Sequence, residues 1–159
     1  MKQLSPDEAF AKAAARCAGR EYCRADWRDK FARAGLTPAQ AEDVLRRLGD
    51  EGFIDEERYA RAYAHDKTTY DLWGKIKVRQ ALRLKGIAPE AIDRALDAID
   101  GDAYRTGLRG LLDRKARSLK EESGYGRRMK LARFAAGRGF EPELVFEAID
   151  DAEQGYTRF

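Results

Sequence analysis

A short pattern of residues that occurs three times constrains the fold of this chain more than any other feature. Each copy has Gly, a bulky apolar residue, one variable residue and Pro, followed by apolar residues at helical spacing. The copies begin at Gly35, Gly86 and Gly139, so they lie 51 and 53 residues apart. Such a period is typical of a supersecondary unit that buries its apolar face by stacking on its own copies. Repeats of this kind form binding surfaces more often than active sites.

Helix start and stop signals divide each copy into three helices. Ser5, Pro6 and Glu8 form a capping box that begins the first helix. Asp55 and Asp102 are the expected N-caps of the corresponding helices in the second and third copies. Each repeated Gly ends a middle helix, and the Pro three residues later begins a third helix. The middle helix of the first copy is expected within residues 21–34.

These signals predict about nine helices, and no segment alternates between apolar and polar residues as a strand would. We therefore expect an all-α fold of three tandem three-helix repeats, stacked into an elongated, curved array. The predicted repeats are residues 1–52, 53–101 and 102–159, the last with an acidic C-terminal end.

Aligning the copies on their glycines supports the repeat outside the pattern that defined it. Two positions in the preceding helix hold apolar or small residues in every copy. They are Trp27, Val78 and Leu131 at one position, and Phe31, Leu82 and Ala135 at the other. These side chains are expected to face the core.

Basic residues concentrate on the middle helices, whereas the third helices are acidic. Five basic residues and no acidic one lie between Lys75 and Lys85. Nine basic residues lie between Arg114 and Arg138, against two acidic ones. By contrast, residues 90–102 contain five acids and a single Arg. A total formal charge of +3 therefore conceals a strong local segregation of charge.

The basic residues that recur at equivalent positions predict a contact surface. The candidates are Arg24, Arg28, Lys75, Lys77, Arg79, Arg83, Lys85, Arg127, Arg128, Lys130 and Arg133. A track of such residues suits a phosphate backbone or an acidic protein groove. The alternative is that they form solvated helix faces that keep the protein soluble, or pair with the acidic third helices of neighbouring repeats.

No group of residues predicts catalysis, a metal or a cofactor. Cys17 and Cys23 are expected to be reduced thiols, and His65 is the only histidine, so thiols and imidazole do not provide a four-ligand zinc site. The acids that follow Ile54 suit capping better than metal binding. Trp27 is expected in the core, and Trp73 could pack or stack on bases.

The chain also lacks the sequence features of a membrane or exported protein. No apolar run approaches the roughly 18 residues of a membrane span, and Ser5 and Pro6 stand where a signal peptide would be apolar. We therefore expect a cytoplasmic protein, and a monomer.

Several segments resemble the RecX family of bacterial regulatory proteins. They are residues 52–60 (GFIDEERYA), 73–77 (WGKIK), 81–87 (ALRLKGI), 20–24 (REYCR) and 138–140 (RGF). The likeness extends over nearly the whole chain. Two positions depart from the family pattern: Glu56 replaces a common Asp, and Lys75 replaces a frequent Pro.

This resemblance implies a protein without a catalytic site that modulates the RecA recombinase. Family members are described as binding in the helical groove of the RecA filament on single-stranded DNA. There they block extension or promote disassembly, which lowers strand exchange and co-protease activity. The expected partners are therefore the RecA filament and single-stranded DNA, the latter bound directly or within the filament.

Two other interpretations of the basic and acidic helices remain open. The chain could be a free-standing basic helical module that binds nucleic acid and does not require RecA. It could also be a structural adaptor that docks its acidic third helices on another protein.

Overall fold

The computed structural model describes residues 3–120 and 124–157, with side chains described as far as Ala152 in the last helix. These residues form nine α-helices and no strand. The helices are α1 (Pro6–Cys17), α2 (Arg24–Arg33), α3 (Pro38–Asp50), α4 (Glu56–Thr69), α5 (Lys75–Leu84), α6 (Pro89–Asp97), α7 (Gly101–Ser118), α8 (Tyr125–Gly137) and α9 (Pro142–Thr157). The predicted all-α class is confirmed. Over the described residues, no helix combines the length and apolar character needed to cross a membrane.

The repeated Gly-to-Pro pattern forms the same turn three times. Gly35, Gly86 and Gly139 have positive φ angles of 91°, 77° and 92°. The N–H of the bulky residue after each glycine donates to the carbonyl five residues upstream, at 3.0, 3.1 and 3.2 Å. This bond and the positive φ are those of a helix-terminating Schellman motif. The bulky residue is buried in each copy, so the turn both ends a helix and anchors the chain to the core.

The first core is built by α1, α2 and α3, with α1 and α2 both packing against α3. Trp27 stacks on Phe31 with ring centroids 5.6 Å apart, and Tyr22 lies 4.8 Å from the Trp27 ring. Val44, Leu45 and other residues of α3 complete the cluster. The expected core positions Trp27 and Phe31 are thus confirmed.

The last three helices form a second core in which each helix contacts the other two. Leu131 and Ala135 of α8 are buried there, as their register predicts. Tyr104 of α7 packs on Phe140 with ring centroids 5.3 Å apart. Val78 and Leu82, the two core positions predicted for the second repeat from the glycine alignment, are also fully buried.

One expectation about a helix start is wrong. Asp100, not Asp102, caps α7: its side chain accepts from the N–H groups of Asp102 and Ala103 at 3.0 and 3.4 Å. Asp102 therefore lies in the first turn, where its charge favours the positive end of the helix dipole. The middle helix of the first copy, α2, lies within the expected residues 21–34. It begins at Arg24, where Asp26 accepts the N–H of the preceding residue, Cys23, at 3.2 Å.

The described residues divide into two compact units. The first contains the residues up to Ala62 together with Leu82–Ala95, and the second contains Tyr63–Ala81 and the residues from Leu96 onward. Helices α4, α5 and α6 each contribute to both units. The repeat limits 1–52, 53–101 and 102–159 stay predictions.

Candidate interaction surface

The start of α5 is fixed by hydrogen bonds to distant backbone and not by a capping side chain of its own. The Gly74 N–H donates to the Arg138 carbonyl at 2.7 Å, and the Ile76 N–H donates to the Gly139 carbonyl at 3.0 Å. Between them, the Lys75 N–H donates to the Tyr104 hydroxyl at 2.9 Å. Three of the N–H groups that a helix start leaves unpaired are therefore satisfied within the protein and are not available to a phosphate.

This contact requires glycine at position 74. A Cβ on Gly74 would lie 2.1 Å from the carbonyl carbon of Gly139 and 2.2 Å from the Phe140 nitrogen. Such distances are far inside van der Waals contact. The two backbone segments approach each other closely because position 74 has no side chain.

Tyr104 joins this helix start to α9. Its hydroxyl accepts from the Lys75 N–H and donates to the Glu141 carboxylate. Burial, and then the bond to Glu141, raise the pKa of Tyr104 far above its ordinary value. The phenol therefore stays protonated and remains a donor to Glu141 across the pH range in which the protein would be studied.

Cations and aromatic rings alternate around the beginning of α5. The Lys77 and Lys67 ammonium groups lie 4.3 and 4.7 Å from the centroid of the Trp73 ring. The Lys75 ammonium lies 5.2 Å from the Tyr104 centroid. These are cation–π distances. Trp73 is half-buried and packed by lysines, so packing accounts for this ring without a bound base.

The basic residues of α8 have three different environments. Arg128 pairs with Asp150 of α9 at 2.5 Å, and the Arg127 guanidinium donates to the Ala116 carbonyl at 3.3 Å. Lys130 and Arg133 are exposed. Arg133 makes no ion pair with any residue that the structure describes. Arg128 is thus neutralised by the helix that follows its own.

In the first unit, Lys85 is held by the start of α2. Its ammonium lies 2.8 Å from the Asp26 carboxylate, which is 18% exposed. Burial disfavours the charged carboxylate, but the bonds from Lys85 and from the Cys23 N–H outweigh it and lower the pKa of Asp26. Arg83, two residues before Lys85, is exposed and has no ion pair within the described part of the chain.

Arg24 and Arg28 also face acidic groups. Arg28 pairs with Glu42 of α3 at 2.7 Å, with both side chains about half exposed. Glu56 lies near both arginines, and one of its carboxylate oxygens is buried without a hydrogen-bond partner among the described residues. Burial raises the pKa of Glu56 although both arginines act in the opposite direction.

The predicted basic residues therefore fall into two groups. Seven lie in the second unit: Lys75, Lys77, Arg79, Arg127, Arg128, Lys130 and Arg133. Four lie in the first: Arg24, Arg28, Arg83 and Lys85. Arg28 and Arg128 each pair with the third helix that directly follows their own helix, whereas the sequence predicts pairing with third helices of neighbouring repeats.

Sequence reasoning missed Tyr104, Lys67 and Arg138 as parts of this region. Arg138 donates to the Asp71 carbonyl at 3.1 Å, which holds the segment before α5. No local pattern marks Tyr104, since its partners are 29 and 37 residues away. Lys67 had a weak signal: it lies one turn before Asp71, with which it pairs at 3.0 Å.

Comparisons with known proteins agree with this architecture. Family models described as the second and third three-helix domains of RecX match residues 55–96 and 107–149. A regulatory protein RecX from Halorhodospira halophila is 31% identical over 159 residues, covering 95% of this chain and 92% of the relative.

Solved structures extend the likeness to three dimensions. A crystal structure of regulatory protein RecX has a TM-score of 0.78 at 25% identity, over 92% of this chain and 73% of that one. RecX from Lactobacillus salivarius has the same fold, with a TM-score of 0.83 at 16% identity over 94% and 97% of the two chains. From these matches and the three-helix units described above, the chain belongs to the RecX family of regulatory proteins.

Proposed function

We propose that this chain regulates the RecA recombinase by binding the RecA filament on single-stranded DNA in its helical groove. Bound there, it inhibits filament extension, strand exchange and co-protease activity. The single observation that carries the proposal is membership of a family whose relatives are named regulatory protein RecX. The basic residues of α5 and α8 are the proposed contact surface.

The environment of α5 supports contact through side chains rather than through a helix terminus. Its first N–H groups already bond to Tyr104 and to the turn after α8. An incoming phosphate or carboxylate would therefore meet the ammonium groups of Lys75 and Lys77. Contacts of this type give affinity without base specificity, as a regulator of a filament on arbitrary DNA requires.

The proposal assigns no chemical step to the chain. A protein that blocks filament growth needs only to occupy a surface that the next subunit or DNA strand would use. Its effect then depends on affinity and residence time, and not on turnover.

Charge reversal at exposed arginines tests the proposed surface. Arg83→Glu and Arg133→Glu alter side chains that make no ion pair in the described part of the chain, so the helices should remain intact. We expect the double variant to inhibit RecA strand exchange several-fold less than wild type at matched concentration. Arg46→Glu on α3 is the matched control, because Arg46 is exposed and outside the proposed surface. Full inhibition by the double variant would remove both arginines from the site.

A free-standing nucleic-acid-binding module is the second candidate, favoured by the exposed Arg83 and Arg133, which form no ion pair with any residue that the structure describes. It predicts tight binding to naked DNA, with the log affinity falling by roughly 0.7 to 0.9 per neutralised phosphate for each log unit of salt. RecA would then be unnecessary for binding.

A further inference from the structure

The first unit contains a groove that the proposed function does not use. α1 and α2 both pack on α3, and between them lies an open groove of about 660 Å³. Leu4, Ala15 and Ala34 form the exposed part of its apolar lining, and the buried Trp27 and Phe31 lie at its floor. The groove belongs to a part of the chain that lies before both matched family domains.

Positive charge borders this apolar lining on both sides. Lys12 and Arg16 contribute from α1, and Lys30 and Arg33 contribute from α2. Of the residues that the structure describes, none that lines the groove is acidic. Lys12 and Arg16 are one turn apart and exposed, so both can point toward the same ligand.

The two α2 cations are only weakly engaged within the protein. The Lys30 ammonium lies over the Trp27 and Tyr22 rings, at 4.9 and 5.1 Å from their centroids. Arg33 is 3.8 Å from Asp29, with both side chains about four-fifths exposed. Exposed pairs of this type contribute little, so Arg33 can exchange its partner at small cost.

This groove differs chemically from the surface on α5 and α8. A phosphate backbone is polar throughout and gains little from an apolar lining. By contrast, an amphipathic helix places apolar residues at positions i, i+3, i+4 and i+7 in a groove and leaves its flanks for charged contacts. α1 has twelve residues, about 18 Å of helix, which matches roughly three turns of such a ligand.

We propose that the groove between α1 and α2 docks an acidic amphipathic helix of a partner protein. Its apolar residues contact Leu4, Ala15 and Ala34 above the rings of Trp27 and Phe31, and its Asp and Glu side chains pair with the cations on the two borders. Charge complementarity selects this occupant over a neutral or basic helix. The inference does not rest on RecA or DNA binding and goes beyond the proposed function.

A designed peptide tests the proposal directly. The probe is a fluorescein-labelled 15-residue helix with Leu on one face and Glu on both flanks, and a scrambled peptide of identical composition is its control. We expect anisotropy to show binding at least tenfold tighter than for the scrambled peptide. In a Trp73→Phe background the remaining indole is Trp27, whose emission should change as the peptide binds.

Charge reversal then locates the site. Lys12→Glu combined with Arg16→Glu should weaken peptide binding at least tenfold, whereas Arg46→Glu, which makes the same type of charge change outside the groove, should not. A peptide with Lys in place of Glu should bind this double variant better than wild type. Rescue of that kind would show that lost binding reflects charge and not unfolding.

Four results would overturn the proposal. The first two are that the wild-type protein does not bind the designed peptide, or that it binds the scrambled peptide with equal affinity. The other two are that Arg46→Glu weakens peptide binding as much as the Lys12→Glu and Arg16→Glu double variant, or that single-stranded DNA displaces the peptide. Self-association of the chain that the peptide blocks would instead identify a second copy as the occupant.

Discussion

The starts of α2 and α5 occupy the same place in their repeats but are stabilised in different ways. α2 begins with a local bond, from the Cys23 N–H to Asp26. α5 begins with bonds to Tyr104 and to the turn after α8, 29 or more residues away. When the first two repeats are aligned on Gly35 and Gly86, Gly74 occupies the position of Cys23, and Lys77 occupies that of Asp26.

This exchange changes what the surface can bind. Asp26 caps its own helix and also pairs with Lys85, so it removes one positive charge from the first unit. At the equivalent place Lys77 adds a positive charge, and the helix start needs no acid because backbone carbonyls accept its N–H groups. Because backbone carbonyls and the Tyr104 hydroxyl accept the first N–H groups of α5, this helix start has no capping carboxylate beside its cationic side chains.

Of the changes that test this difference between α2 and α5, Gly74→Ala should lower the free energy of unfolding most. Its Cβ would meet the Gly139 carbonyl carbon at 2.1 Å, and overpacking against backbone that cannot move aside costs about 2 to 3 kcal/mol. Urea denaturation measures the free energy of unfolding. Gly101→Ala is the control, since a Cβ there meets no atom within 4 Å, and it should leave stability unchanged or raise it. Equal stability of the two variants would mean that α5 does not start against the turn after α8.

Tyr104→Phe should have an intermediate effect. The change leaves the Lys75 N–H without its acceptor and Glu141 without its donor, and an unsatisfied buried partner costs about 1 to 3 kcal/mol. Tyr125→Phe is the matched control, because Tyr125 is 77% exposed. Thermal or urea unfolding should show that Tyr104→Phe is less stable than Tyr125→Phe. A neutral result for Tyr104→Phe would show that the backbone bonds alone hold the start of α5.

Asp26→Asn should have the smallest effect and should depend on pH. Its folded pKa lies below the ordinary value of 3.8, so the carboxylate contributes stability above that pH and loses it as the pH falls through the folded pKa. We expect the variant to be about 1 kcal/mol less stable at pH 7, with the difference shrinking below pH 3.8. A difference that instead grew with acid would contradict the assigned pairing with Lys85.

Sequence reasoning reached the repeat because its signals are local. The positive φ of Gly35, Gly86 and Gly139 and the buried residues after them follow from the pattern itself. The sequence does not distinguish Asp100 from Asp102 as the N-cap of α7, since both residues suit a helix start. Which cations are neutralised depends on contacts between helices, such as Arg128 with Asp150, and spacing alone does not determine those.

Paired titrations of the wild-type protein test the central claim most directly. Single-stranded DNA alone and preformed RecA filaments on the same DNA would be titrated at one salt concentration. The account predicts binding to the filament at least tenfold tighter than to naked DNA, together with inhibition of strand exchange over the same concentration range. Equal affinity for both, with no effect of RecA, would contradict it and favour a free-standing nucleic-acid-binding module.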